Sequence, residues 1–189
     1  MLQKTFFSLL TALLIVCIAP AVQAQKYFSR NAKVAFDATV KSSPEKIAAV
    51  SNSGTIVLDK ATGSIQTAVL LKGLLFEKAL MQEHFNENYV ESSKYPKAEF
   101  KGKLENPGAI DFTKDGNYTG TLNGTMTMHG VTKELKTPVS FTVKSGKITA
   151  KANFALVLAD YKIDIPSLVA DKVAKQASIE VTTTLELLK

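Results

Sequence analysis

The sequence predicts an all-β protein in which eight antiparallel strands close into a barrel, accompanied by one or two short helices. Rows of apolar residues at every second position point there, together with short turn signals between the rows and only two segments of a different period. Side chains leave a strand on alternate sides, so a period of two puts one face in the core and the other in water.

Val34, Phe36, Ala38 and Val40 form the first row, and residues 55–58 are the second strand. Ile65, Thr67, Val69 and Leu71 follow the turn at 59–63 as the third, and Ala98, Phe100, Gly102 and Leu104 make the fourth. Residues 118–128 are the fifth, with Leu135, Thr137, Val139, Phe141 and Val143 as the sixth. Ile148, Ala150, Ala152, Phe154, Leu156 and Leu158 form the seventh, and Ile179, Val181, Thr183, Leu185 and Leu187 the last. Between them Asn106-Pro107-Gly108, Asp115-Gly116-Asn117 and Ser145-Gly146 suit hairpins rather than the long crossovers of a parallel sheet. Closing such strands into a barrel removes the exposed edges and leaves room inside for side chains or one small ligand.

Two segments have a different period. In residues 77–89, Leu80, Met81, His84, Phe85 and Asn88 recur at spacings of three and four, which predicts one helix of about three turns. Residues 166–174 predict a second, shorter helix with Pro166 at its start and Leu168, Val169 and Val173 turned inward.

Residues 1–24 read as a signal peptide: Lys4 is their only charge, residues 6–18 are predominantly apolar, and Val22-Gln23-Ala24 offers small residues at a cleavage site. The apolar run falls short of the roughly 20 residues that a membrane-spanning helix needs. A lipoprotein signal would use Cys17, but bulky Val16 precedes it where such signals carry Gly or Ala. Residues 25–189 are then one exported domain, periplasmic or secreted. Cleavage also removes the only cysteine, so no disulfide, thiolate nucleophile or sulfur metal site is expected.

Loss of Lys4 takes the formal charge from +6 to +5. The lysines are scattered, and Arg30 is the sole arginine, which fits a solvated sheet surface rather than a nucleic-acid footprint. A mildly basic surface favours peripheral contact with anionic lipid. Catalytic groups are scarce, with two histidines, His84 and His129, and no phosphate loop, nucleophile elbow or HExxH pattern. Neither catalysis nor a resident metal or cofactor is expected, although a metal held by both histidines and a carboxylate stays open as the weaker reading.

The apolar faces carry more information. Tyr118, Gly120, Leu122, Gly124, Met126 and Met128 place two glycines inside a strand, which marks either a bend or room for something else. Taken singly, each small residue reads first as one that lets the barrel bend and pack. Taken together with Ala150 and Ala152, and interleaved with Phe36, Phe100, Phe141 and Phe154, they read as a tube with space for a long apolar ligand.

Two motifs then stand out. Ser93-Lys94-Tyr95-Pro96-Lys97-Ala98-Glu99-Phe100 resembles the Tyr-Pro segment of the YceI-like family of secreted bacterial lipid-binding proteins. The stretch Gly120-Thr121-Leu122-Asn123-Gly124-Thr125-Met126-Thr127-Met128-His129-Gly130-Val131-Thr132-Lys133 resembles that family's His-Gly-Val-Thr-Lys hairpin. The resemblance extends over residues 27–189 and implies a lipocalin-like barrel holding a polyisoprenoid, isoprenoid quinone or fatty-acyl chain, often in a dimer. Relatives carry an arginine in the helix before the Tyr-Pro segment, whereas residues 81–88 have none. Arginine suits bidentate phosphate binding, so an uncharged head such as a quinone or amide is expected.

The expected lumen comprises Phe36, Val69, Leu71, Leu75, Phe76, Leu80, Phe85, Phe100, Leu122, Met126, Met128, Phe141, Phe154 and Leu156. His84, Asn88 and His129 are expected as polar contacts at a mouth, with a structural role for His129 in its hairpin as the alternative. A ligand-free envelope or stress protein, and an enzyme acting on a bound lipid, remain the other readings.

Overall fold

The computed structural model describes residues 25–188, so the predicted signal peptide and its cleavage site lie outside the described residues. Nine strands run in the order β1 (Lys26–Thr39), β2 (Ala48–Asp59), β3 (Ser64–Leu70), β4 (Leu75–Phe76), β5 (Lys97–Leu104), β6 (Gly116–Met128), β7 (Val131–Lys144), β8 (Lys147–Val157) and β9 (Val173–Leu187). Every pairing is antiparallel, and β1 joins both β9 and β2, which closes the sheet. The barrel has eight staves because β4 continues the stave of β3: both pair with β2, β3 at Thr55–Leu58 and β4 at Ala49 and Val50. A single 3-10 turn, Leu71–Gly73, interrupts that stave. Leu71 therefore sits in the turn rather than in the strand that its alternation predicted, and it is still buried.

β1 begins eight residues before Val34, at Lys26. Its first half escapes the alternation because the register shifts between Ser29 and Ala32 and again between Ala32 and Val34. Such irregularities reset which side chains face inward.

The helix expected over 77–89 is α1 (Ala79–His84) followed by a π-helical turn, Phe85–Tyr89. The second expected helix is only a 3-10 turn, Ser167–Val169. Val173 instead opens β9, paired with Thr39, and Leu168 is 87% exposed rather than turned inward.

One end of the barrel is shut by its own side chains. Phe112, from the loop before β6, packs on Tyr27 at 5.7 Å and edge-on against Phe141 at 5.3 Å, with Leu58, Leu104 and Ile148 buried around them. The strand glycines belong to this packing. Gly102 and Gly124 face each other across β5 and β6, and a Cβ at Gly124 would overlap the Lys101 carbonyl. A Cβ at Gly102 would lie 2.6 Å from the Phe100 ring, and one at Gly120 2.7 Å from Leu104 Cδ1. The space beside these glycines is thus filled by neighbours, so the bend-and-pack reading holds for them and the vacant volume arises elsewhere.

Candidate functional site

The vacant volume follows from incomplete burial of inward side chains. Val34, Phe36, Val69, Phe76, Phe154 and Val181 belong to inward rows, yet each is only half-buried, and each lines the interior cavity. Their free surface faces one another across the lumen. Two chambers result. The inner one, about 90 Å³, lies toward the closed end between Phe100, Leu122, Phe141 and Phe154. The outer one, about 390 Å³, opens at the mouth and is walled by Phe36, Leu71, Phe76, Phe85, Met128 and Leu156. Val34, Val69, Ala98, Met126 and Ile179 border both, so the chambers meet end to end at a waist. Phe36, Phe76 and Phe85 form one aromatic wall, with ring centroids 4.9 to 6.1 Å apart.

Leu80 and His84 stand on the rim of the outer chamber, with Leu80 61% exposed. Leu75 and Asn88 do not join the lumen. In β4 only one of two consecutive residues can face inward, and the register gives that place to Phe76 opposite buried Ala49, leaving Leu75 66% exposed outside. The i,i+4 step from His84 to Asn88 keeps one face only in an α-helix. A π-helical turn advances the equivalent position to i+5, and Tyr89 lines the chamber while Asn88 is exposed.

His129 makes structural contacts outside the lumen. His129 and Gly130 form the two-residue β6–β7 turn with φ of 50° and 71°, the positive pair that a type I′ hairpin requires. The Tyr161 carbonyl accepts a hydrogen bond from His129 Nδ1 at 2.9 Å, and Nε2 lies 2.9 Å from Glu91 Oε2. Tyr95 packs edge-on against the imidazole at 4.8 Å, and a Cβ at Gly130 would come within 2.6 Å of the Tyr95 ring. The Tyr-Pro segment, the His-Gly turn and the end of the π-helical turn are therefore clasped together beside the mouth. Gly130→Ala combines a disfavoured backbone angle with a ring clash and is expected to destabilise by about 2 to 4 kcal/mol, read from urea unfolding. A change below about 0.5 kcal/mol would contradict the clasp.

At the rim of the outer chamber stand Glu45, Lys78 and Lys172. Lys78 Nζ donates to Glu45 Oε1 at 2.6 Å, joining the start of α1 to the loop before β2. That hydrogen bond and the charge of Lys78 hold the Glu45 carboxyl below its usual range, and Lys172 lowers it further. The same bond and charge raise the Lys78 ammonium. Glu45, Lys78 and Lys172 are not in the expected site because that site is drawn from apolar faces. Lys78 and Lys172 fall within the segments expected as helices but lie just outside the helical turns that form, and Glu45 lies in a loop. Val34 and Ala98 share inward rows with Phe36 and Phe100 and are legible by the same alternation, whereas Ile179 stands on the last row, from which the expected lumen takes no residue. Among the described residues no three His, Cys, Asp or Glu side chains gather as metal ligands, and no helix is long and apolar enough to cross a membrane.

The sequence profile of the YceI-like domain matches residues 25–185. The chain belongs to the YceI-like family. Among solved structures, a polyisoprenoid binding domain from Saccharophagus degradans implicated in plant cell wall breakdown is similar, with a TM-score of 0.74 at 13% identity over 87% of this chain and 99% of that one. BcnA of Burkholderia cenocepacia is similar with a TM-score of 0.66 at 15% identity, over 82% of this chain and 96% of the other. A YceI protein of Campylobacter jejuni gives 0.52 at 20% identity, over 72% and 81%. At these identities the likeness speaks to the fold alone. No curated protein sequence matches the chain.

Proposed function

We propose that this YceI-like protein binds one long, mostly hydrocarbon lipid, a polyisoprenoid, isoprenoid quinone or fatty-acyl chain, with its tail in the tube and its head at the mouth. The observation that carries this reading is the continuous pair of chambers walled by half-buried apolar side chains. Exposed apolar surface inside a barrel is stabilised when an apolar chain covers it, by about 0.8 kcal/mol for each methylene buried. The methionines Met126 and Met128 suit a mobile hydrocarbon partner because their unbranched side chains adapt to irregular shapes. Membership of the family, and a relative that is a polyisoprenoid binding domain, support the same reading.

The protein works as a carrier rather than an enzyme, in the periplasm or outside the cell, in keeping with the leader-like character of residues 1–24. Leu80 and Leu168, exposed near Lys78 and Lys172 at the rim, suit brief contact with an anionic lipid surface while the ligand passes. Native mass spectrometry of the purified protein, followed by lipid extraction, tests the proposal. A bound mass that extracts as a long-chain lipid is the expected result, and the same spectrum distinguishes monomer from dimer. A protein that arrives empty and takes up no isoprenoid, quinone or fatty acid would end the proposal.

A further inference from the structure

We infer that the mouth selects lipids with an acidic head, a phosphate or a carboxylate, held by Lys78 and Lys172. This rests on the reading of the tube as a lipid site and adds the chemistry of the head. The tube is shut at one end by Phe112, Tyr27 and Phe141, so a ligand enters tail first and leaves its head at the rim.

The charged side chains lining the outer chamber are Lys78, Lys172 and Glu45, with His84 beside them on α1. They come from three segments: the loop before β2, the approach to α1 and the approach to β9. Two ammonium groups thus face a single carboxylate. Glu45 is engaged with Lys78 at 2.6 Å, whereas Lys172 makes no salt bridge among the described residues. An anionic head placed between the lysines balances the rim, and a neutral head leaves it with an uncompensated cation. Charge-assisted hydrogen bonds from lysine are about twice as strong as neutral ones, and lysine holds phosphate as a point charge without the paired geometry of arginine. The absence of arginine from residues 81–88, which favoured an uncharged head, therefore does not leave the mouth without cations.

The test compares geranylgeranyl phosphate with geranylgeraniol, and palmitate with hexadecanol, as competitors of a fluorescent fatty-chain probe. The wild-type protein is expected to bind each acid about tenfold more tightly than its alcohol, with the advantage shrinking as salt is raised. The Lys78→Gln/Lys172→Gln variant is expected to lose that advantage while keeping its affinity for the alcohols, which also shows that it folds. Equal affinity of acid and alcohol in the wild type, or an advantage that survives in the double variant, would overturn the acidic-head inference. Displacement of the probe by inorganic phosphate alone would overturn it too, because the anion would then be recognised without a tail. Binding of none of the four amphiphiles would instead remove the lipid-site reading beneath it.

Discussion

Val69→Trp is expected to deprive the protein of long ligands while leaving it folded. Val69 stands on β3 opposite Ala98, half-buried, at the waist where the two chambers meet. An indole there projects into vacant volume rather than into packed neighbours, so the change in stability stays within about 1.5 kcal/mol. It also cuts the inner chamber off from the mouth. A tail that loses three buried methylenes loses about 2.4 kcal/mol, or roughly 50-fold in affinity. A ligand short enough to end in the outer chamber is unaffected. Titrating fatty acids of increasing length against both proteins reads the effect as a plateau in affinity that the variant reaches at a shorter chain. Identical length profiles would mean that ligands do not pass the waist.

Phe141→Ala is expected to produce the largest loss of stability of any substitution discussed. Phe141 is 1% exposed and stacks edge-on with Phe112 where the barrel is shut. Removing a fully buried phenylalanine costs about 3 to 5 kcal/mol, because lost burial and a residual cavity add. In a domain of this size that lowers the melting temperature by roughly 10 °C. Phe154 supplies the control. It is also a phenylalanine on an inward row, but half-buried against the lumen, so Phe154→Ala is expected to lose less than half as much. Equal losses at the two positions would mean that the lumen beside Phe154 is packed rather than vacant.

The contrast between these two phenylalanines also marks what could be read from the amino-acid order. Alternation located inward rows on seven of the eight staves, since a pleated strand has no other way to sort its side chains. β2 was legible only at residues 55–58, and the first half of β1 was hidden by its register shifts. It could not say which inward residues touch one another and which face empty space, because that depends on pairing across the barrel. The glycines at 102, 120 and 124 show the difficulty, being legible as small and inward, while what fills their space is not. The Phe100 ring leans over Gly102 along β5, and the register of β5 against β6 brings the Leu104 side chain to Gly120 and the Lys101 carbonyl to Gly124. The helical period led from His84 to Asn88, and the widening of the helix at Phe85 moved that face to Tyr89. The charges of the mouth were hidden for a different reason. Apolar periodicity does not single out charged residues, and Glu45, Lys78 and Lys172 come from three separate segments that the closed barrel brings to one mouth.

The aromatic plug formed by Tyr27, Phe112 and Phe141 makes the barrel a dead end, and a dead end governs kinetics as much as capacity. Any occupant must retreat along its whole length through the opening by which it arrived, so every added pair of methylenes slows its escape by about 15-fold. Residence time thus becomes a ruler of chain length, and delivery requires an acceptor that meets the emerging tail before water does.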